Sequence, residues 1–189
     1  MTTARTADLV GVPSWPVGLK IAVALAGAVA VGAAAQVALP LPNTPVPFTL
    51  QPLAVLVVGG LLGPRYGALS MVMYLAMGAA GLPVFTPVGL PGMARLFGPT
   101  GGYLLAYPVA AAVMGRLSAS PRPYAAFGAA LLGMAVIYAG GLSQLVVLTG
   151  DASRAFAAGI LPFALSDLIK IGIAGLLVSR FQPSTRALT

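Results

Sequence analysis

Cysteine, histidine and glutamate are absent from this chain of 189 residues. Without cysteine or histidine there is no disulfide, no thiolate nucleophile and no ligand set of the usual zinc sites. Without glutamate, much of the side-chain repertoire for acid–base catalysis is missing as well. The sequence has neither a G-x-x-x-x-G-K-S/T phosphate-binding loop nor a G-x-S-x-G nucleophile elbow. We therefore expect a protein that is not an enzyme, splits no ATP itself and needs no cofactor.

Charged residues are scarce too. They make up 7% of the chain, whereas 59% of its residues are hydrophobic and the mean hydropathy is +0.98. Because ordinary soluble domains have about a quarter of their residues charged, so few charges cannot coat a surface that faces water. The composition predicts an all-α, polytopic membrane bundle whose solvent is the lipid bilayer.

A hydrocarbon core about 30 Å thick needs roughly 20 apolar residues per helix. We predict six transmembrane helices at residues 19–39, 50–63, 66–81, 101–117, 124–148 and 160–180. A proline cluster that begins at Pro40 ends the first helix, and Gly63-Pro64-Arg65 forms a hinge between the second and third. The predicted organisation is an N-terminal tail at 1–18, a membrane domain at 19–181 and a C-terminal tail at 182–189.

Ten lysines and arginines against three aspartates give a formal net charge of +7. The cations come singly at the ends of apolar runs, without the basic stripe of a nucleic-acid-binding surface, so no nucleic-acid partner is expected. With six spans, Arg95 and Arg154 lie on one side of the membrane and seven cations lie on the side of the termini. The seven are Arg5, Lys20, Arg65, Arg116, Arg122, Arg180 and Arg186. This positive-inside bias predicts that both termini are cytoplasmic.

Two long loops on the predicted outer side are apolar and rich in proline and glycine, at residues 40–49 and 82–100. Irregular apolar backbone near a membrane is tolerated where it is buried in protein or lines a cavity. Both loops are therefore either lids over a site or ordered connectors.

Asp167 and Lys170 lie inside the predicted sixth span. Each charge at a helix centre costs on the order of 2.5–3.5 kcal/mol on insertion scales, so such residues usually face the interior and carry function. Because they are three residues apart, their side chains share one helix face and can pair. The pair is either a structural contact between helices or part of a polar pocket, in which Lys170 and Arg95 hold an anion and Asp167 accepts N–H groups.

Aromatic residues are available as pocket walls, each of them more simply explained by packing: Phe85, Phe97, Tyr103 and Tyr107. Other polar residues in apolar surroundings are Gln36, Gln51, Ser143 and Gln144, and for them a role in the pocket and a hydrogen bond between helices are equally open. Of these, Gln51 is the candidate for the pocket, since it begins a span directly beneath the proline-rich loop.

Small residues recur along the first span. Ala22, Ala26 and Ala30 follow one another at four-residue spacing, and Ala24 and Ala28 lie on a neighbouring stripe. Such a face lets another helix approach closely, either within the bundle or from a partner protein.

Four segments stand out together: TPVPFTLQ at 44–51, YLAMGAAGLPVF at 74–85, LFGPTGGYL at 96–104 and SDLIK at 166–170. In this combination and order they resemble the BioY family, the biotin-binding S components of energy-coupling-factor (ECF) transporters. The resemblance covers the chain from about residue 20 to residue 180.

The resemblance implies a six-helix bundle in the cytoplasmic membrane that captures biotin from outside, beneath the loops after the first and third spans. It implies that Asp167 and Lys170 form the family's Asp-x-x-Lys pair and that Arg95 is its loop arginine. Biotin offers a carboxylate to Arg95 or Lys170, ureido N–H groups to Asp167 and an apolar ring to the walls. The family's loop polar residue has no counterpart in TPVGLPGMARL at 86–96, which lacks asparagine.

The resemblance also implies partners, namely a transmembrane coupling protein and two ABC-type ATPase subunits. The coupling protein is expected to contact the small-residue stripe of Ala22, Ala26 and Ala30. The leading hypothesis is therefore a biotin-capture subunit. The alternatives are an autonomous secondary transporter of a small organic anion, with a proton on Asp167, and a purely structural membrane protein.

Overall fold

The computed structural model describes residues 16–120, 122 and 124–185, and within them the chain is mostly helical. The elements in order are α1 (Val17–Gln36), β1 (Ala38–Leu39), β2 (Phe48–Thr49), α2 (Gln51–Ala79), α3 (Ala94–Phe97), α4 (Gly101–Ser118), α5 (Ala125–Thr149), α6 (Ala152–Gly159) and α7 (Ala164–Thr185). The predicted tail at 1–18 lies outside the described residues up to position 15, as does the predicted C-terminal tail from 186 onward.

Helix α1 begins and ends earlier than predicted. It stops at Gln36 because the next residues leave the helical conformation and pair as a strand, with Ala38 opposite Thr49 in an antiparallel hairpin. The predicted end at residue 39 was therefore wrong, since apolarity alone does not distinguish a helix end from a short strand. The hairpin carries the proline-rich segment 40–47 above the bundle.

Helix α2 is two helices joined at the predicted hinge. Gly63 has φ 75° and ψ 178°, a conformation that glycine adopts without steric cost, and Pro64 begins the second half. The Gln51 side-chain amide donates to the Tyr74 hydroxyl. In a straight helix these residues would be about 35 Å apart at 1.5 Å per residue. The segments 51–62 and 64–79 therefore lie side by side and antiparallel.

Glycines let these helices approach closely. A Cβ on Gly67 would lie 2.8 Å from the Cα atom of Gly59, and a Cβ on Gly59 would lie 2.6 Å from the carbonyl oxygen of Ala111 in α4. Helices α4 and α5 also pack closely, because a Cβ on Gly140 of α5 would lie only 2.7 Å from the Cβ atom of Ala106 in α4. Small residues at such crossings allow backbone-to-backbone packing, which drives helix association in lipid.

Helices α6 and α7 are joined by a break that contains Pro162, and their axes are bent by 57°. Helix α6 was not predicted. Asp151 caps it by accepting from the backbone N–H groups of Ser153 (2.8 Å) and Arg154 (3.1 Å). The predicted sixth span at 160–180 was wrong at both ends, because α7 begins at Ala164 and continues to Thr185. The predicted boundary at 181 therefore falls inside a helix.

In the described chain, α1 and α5 are long and apolar enough to cross a membrane, and α2 also meets this criterion when its 29 residues are counted together across the break at Gly63. Helices α6 and α7 add a fourth crossing if they are taken together as one bent span. The apolar helices make this a membrane protein. The count of six spans and the side of the termini stay predictions.

The bundle has two ends, which we call the hinge end and the loop end. At the hinge end the Gln182 side-chain amide donates to the Gly60 carbonyl (3.1 Å) and to the Ser118 hydroxyl (2.9 Å), joining α7 to α2 and α4. At the loop end the Thr44 hydroxyl donates to the Ala158 carbonyl at 2.7 Å, joining the hairpin to α6. The loop end also carries residues 80–100 and surrounds a cavity.

Replacing Gly59 by alanine should destabilise the bundle, because the new methyl group meets the Ala111 backbone, which cannot move aside as a flexible side chain would. Overpacking of this kind costs typically 1–3 kcal/mol, so we expect a thermal midpoint lower by about several degrees in detergent. The matched control is Gly128→Ala in α5, where no atom lies within 4 Å of the new Cβ. A Gly59→Ala midpoint equal to that of Gly128→Ala would contradict the close crossing.

Candidate functional site

A cavity opens between the loops and helices of the loop end. Its empty space amounts to about 590 Å³, a volume that includes the solvent at its open mouth. All six residues predicted to bind a ligand line it: Gln51, Phe85, Arg95, Tyr103, Asp167 and Lys170. Residues from both predicted lid loops line it as well, among them Val46, Pro47 and Thr86.

Asp167 and Lys170 form an ion pair in the cavity wall, one helical turn apart on α7. The Lys170 ammonium donates to Asp167 Oδ1 at 2.7 Å, and the two side chains are 6% and 7% exposed. The Tyr138 hydroxyl of α5 donates to the other carboxylate oxygen, Oδ2, at 2.6 Å. The ring of Phe48 lies 4.2 Å from the Lys170 ammonium nitrogen. Both charges are thus held in position by each other and by neighbours on two further elements, α5 and β2.

The carboxylate of Asp167 retains acceptor capacity. Each ionised oxygen has about two lone-pair sites, and each of the two accepts one hydrogen bond from the described residues. The unused acceptor sites suit N–H donors on a ligand. Desolvation of this pair is offset by its geometry and its additional hydrogen bond, as a buried ion pair requires.

Arg95 is buried at 4% exposure on the short helix α3. Its Nη1 donates to the Thr86 hydroxyl (2.5 Å) and to the Val88 carbonyl (2.7 Å), and its Nη2 donates to the Thr86 carbonyl (2.7 Å). All of these acceptors are neutral, and among the described residues Arg95 forms no ion pair. Burial lowers the pKa of Arg95 from its ordinary value, but an arginine stays protonated in proteins.

One edge of the Arg95 guanidinium has a buried donor, Nε, that is not satisfied by any described residue. Thr86 occupies the edge between Nη1 and Nη2, while Nε has no hydrogen-bond partner among the described residues. The Nε–H and the second Nη2–H point to the same side of the planar group, a fork that matches the two oxygens of a carboxylate. A buried cation without a counter-ion is costly, and a bound anion would relieve that cost.

The remaining predicted residues shape the cavity. Gln51 is held by Tyr74, and the Tyr103 hydroxyl donates to the Gly159 carbonyl at 3.0 Å. The Tyr103 ring packs against Gly141, where a side chain would overlap it. Phe85 packs edge-on against Tyr74, with ring centroids 5.4 Å apart. These contacts fix rigid aromatic walls around the charged groups.

Tyr107 and Phe97 were the other two aromatic residues considered as pocket walls, and only one of them lines the cavity. Tyr107 lines the cavity and is 3% exposed. Phe97 was wrong as a wall residue, because it is 73% exposed and does not line the cavity. Phe97 lies two positions after Arg95 on α3, a rotation of more than half a turn, so the arginine faces inward and the phenylalanine outward.

Sequence analysis missed Tyr138, Phe48 and Thr86, the neighbours that hold the three charged groups. A tyrosine within an apolar span and a phenylalanine in a loop carry no signal by themselves. Thr86 lies in the loop at 86–96, in which the sequence showed no counterpart of the family's loop polar residue. In the structure the Thr86 hydroxyl accepts a hydrogen bond from Arg95.

The small-residue stripes of α1 face in different directions. Ala22, Ala26 and Ala30 are exposed, whereas Ala24 and Ala28 are buried against the bundle. The inner stripe therefore serves internal packing, and the outer stripe is left on the surface of the described chain.

Comparison with known proteins agrees with this architecture and these motifs. The family model described as the BioY family matches residues 8–187. A protein of Pyrococcus horikoshii named "Probable biotin transporter BioY" is 38% identical over 141 residues, which are 75% of this chain and 83% of that protein. The "Biotin transporter BioY" of Thermotoga maritima is 39% identical over 144 residues, or 75% and 84% of the two chains.

Among solved structures, the chain resembles one titled "Crystal structure at 2.1 A of the S-component for biotin from an ECF-type ABC transporter". The TM-score is 0.78 at 25% sequence identity, covering 89% of this chain and 95% of that one. The match of the family model over nearly the whole length, together with these relatives, gives the conclusion that this chain belongs to the BioY family.

Proposed function

We propose that this protein is the biotin-capture subunit of an ECF transporter, with the cavity at the loop end open to the outside of the cell. The observation that carries the proposal is the buried Arg95 guanidinium, which lies in one cavity with the Asp167–Lys170 pair. Among the described residues, its Nε has no hydrogen-bond partner and the guanidinium has no counter-ion. The names of the Pyrococcus and Thermotoga relatives and of the solved S component support biotin as the ligand. The protein acts as a transporter component and not as an enzyme.

The chemistry of biotin matches the charges of the cavity. Two cations against one carboxylate give the lining residues a net charge of +1, which favours a monoanion. The valerate carboxylate binds the Nε edge of Arg95, since Lys170 is already paired with Asp167. The ureido N–H groups donate to the remaining lone pairs of Asp167, and the thioether ring lies against the aromatic walls. Gln51, Phe85 and Tyr103 complete the contacts.

The proposed topology has six membrane spans, formed by α1, the two halves of α2, α4, α5 and α7, in a membrane domain at about 19–181. Lys20, Arg65, Arg116, Arg122 and Arg180 belong to the proposed cytoplasmic side, and Arg95 and Arg154 to the other. The contact of Lys20 with the Tyr66 ring, 5.7 Å from its centroid, supports a common side for the start of α1 and the hinge. By the positive-inside rule, both termini are cytoplasmic and the protein is a multi-pass protein of the cytoplasmic membrane.

Energy for uptake comes from partner proteins in this proposal. The sequence has no phosphate-binding loop of its own, and two ABC-type ATPase subunits supply hydrolysis through a transmembrane coupling protein. The exposed stripe of Ala22, Ala26 and Ala30 is the proposed contact for that coupling protein. Its small side chains let a partner helix approach closely, as membrane helix pairs require.

Purified protein in detergent should bind labelled biotin saturably, and Asp167→Asn should bind it about 10–100-fold more weakly. The substitution removes a charged acceptor, worth about 1.5–3 kcal/mol, and leaves Lys170 without its partner. Arg65→Gln is the control, since Arg65 is exposed at the hinge end and its loss should leave affinity unchanged. Equal affinities of the two variants, or no binding by the parent at any concentration, would contradict the proposed site.

Arg95→Gln should weaken biotin binding by about 100-fold while changing the affinity for biotin methyl ester by less than about threefold. The bidentate charged contact exists for the carboxylate and not for the neutral ester. Equilibrium competition against labelled biotin measures both affinities. Arg154→Gln is the matched control at the same end of the bundle, because its side chain is 81% exposed. An Arg95→Gln variant that keeps the parent's preference for acid over ester would show that another group binds the carboxylate.

A further inference from the structure

Two glutamines that lie in apolar helices reach out of those helices to the loop that carries Arg95. Gln36 is the last residue of α1, and Gln144 lies near the end of α5. Their amides donate to backbone carbonyls of residues 83–98, which are more than 40 positions away along the chain. The sequence left open whether these residues line the pocket or join helices, and the structure shows hydrogen bonds from helix to loop.

Gln144 fixes the backbone on the C-terminal side of Arg95. Its Nε2 donates to the Leu96 carbonyl at 3.0 Å and to the Gly98 carbonyl at 2.6 Å, which uses both of its amide hydrogens. Helix α3 has four residues, so its last carbonyls have no partner within the helix. The Gln144 amide therefore supplies a partner for the Leu96 carbonyl of this helix. It is also a second donor to the Gly98 carbonyl just after the helix, which accepts from the Gly101 N–H as well.

Gln36 fixes the backbone that receives the guanidinium. Its Nε2 lies 3.2 Å from the Phe85 carbonyl and 3.3 Å from the Pro83 carbonyl, in addition to 3.0 Å from the Gly32 carbonyl of its own helix. Phe85 directly precedes Thr86, whose hydroxyl and carbonyl both accept from Arg95. One glutamine thus holds the support of the guanidinium, and the other holds the turn from which it projects.

Ser143 shows that a polar residue in this region need not have such a role. Its hydroxyl donates to the Ala139 carbonyl in its own helix at 2.7 Å, and the residue is exposed. Of the two roles that the sequence left open for Ser143, a place in the pocket and a hydrogen bond between helices, the described structure shows neither. As the immediate neighbour of Gln144 that does not touch the loop, it serves as a matched control.

We propose that Gln36 and Gln144 are positioning residues for Arg95 and set the preference of the cavity for a ligand with a carboxylate. This inference rests on the proposed function. Neither amide needs to touch the ligand. A guanidinium fork discriminates by geometry, since two parallel N–H groups must meet two oxygens, and a displaced loop backbone spoils that match. The loss should therefore fall on the charged contact and leave contacts of the ring system unchanged.

The test compares affinities for biotin and biotin methyl ester in the full-length detergent-solubilised protein. Gln144→Leu should weaken biotin binding by roughly tenfold, the order expected for lost hydrogen bonds, and should leave ester binding within about twofold. Ser143→Ala should change neither affinity. In an Arg95→Gln background, Gln144→Leu should have no further effect on biotin, because coupled residues are not additive.

Gln36→Met is an independent variant, for which we also expect weaker binding of biotin and unchanged binding of the methyl ester. It serves as the test of the inference if Gln144→Leu does not give monodisperse protein. If these variants weaken acid and ester equally, the glutamines have a general structural role and the inference is wrong. Unchanged affinity for both ligands would also overturn it. Failure of the parent protein to bind biotin would instead refute the proposed function, so the two failures are distinguishable.

Discussion

The ion pair between Asp167 and Lys170 is the constraint to which much of the loop end conforms. Opposite charges survive in a membrane protein only where neighbours replace the water that they lost. Here Tyr138 of α5 donates to the carboxylate, and the Phe48 ring from the hairpin covers the ammonium. Helix α7 therefore cannot turn its polar face to lipid, and α5 and the hairpin must lie against it. The same packing leaves the unused carboxylate lone pairs directed at a cavity.

Arg95 supplies the net charge of the cavity, which the Asp167–Lys170 pair does not. The pair is neutral as a unit, so the cavity owes its net positive charge to the guanidinium, which stands on a loop and depends on backbone acceptors for its position. Loops are usually the mobile part of a site. In this protein the loop is attached to α1 and α5 through glutamine amides, which in our proposal hold Arg95 in position for a carboxylate. Recognition of a carboxylate and of N–H groups is thus assigned to separate elements of one cavity.

A site residue or structural element could be predicted from the sequence only where its residue type is unusual for its surroundings. Asp167 and Lys170 were predictable because charges within an apolar span are costly, and the hinge at Gly63-Pro64-Arg65 because a proline and a charge coincide there. Tyr138 and Thr86 were not predictable, since their residue types are ordinary and their importance arises from distant contacts. Helix α6 escaped notice because eight residues of mixed polarity give no span-length signal. The fold-back of α2 places Gln51 beside Tyr74, a contact that no local pattern encodes.

The most direct test of the account asks whether the buried pair serves a ligand or only the fold. The double variant Asp167→Leu with Lys170→Met removes both charges at similar volume, and such replacement of a buried pair is often neutral or stabilising. We predict a thermal midpoint in detergent at or above that of the parent, together with a loss of biotin affinity of at least about 100-fold, as expected when charged hydrogen bonds disappear. A stable double variant that binds biotin as tightly as the parent would contradict the account.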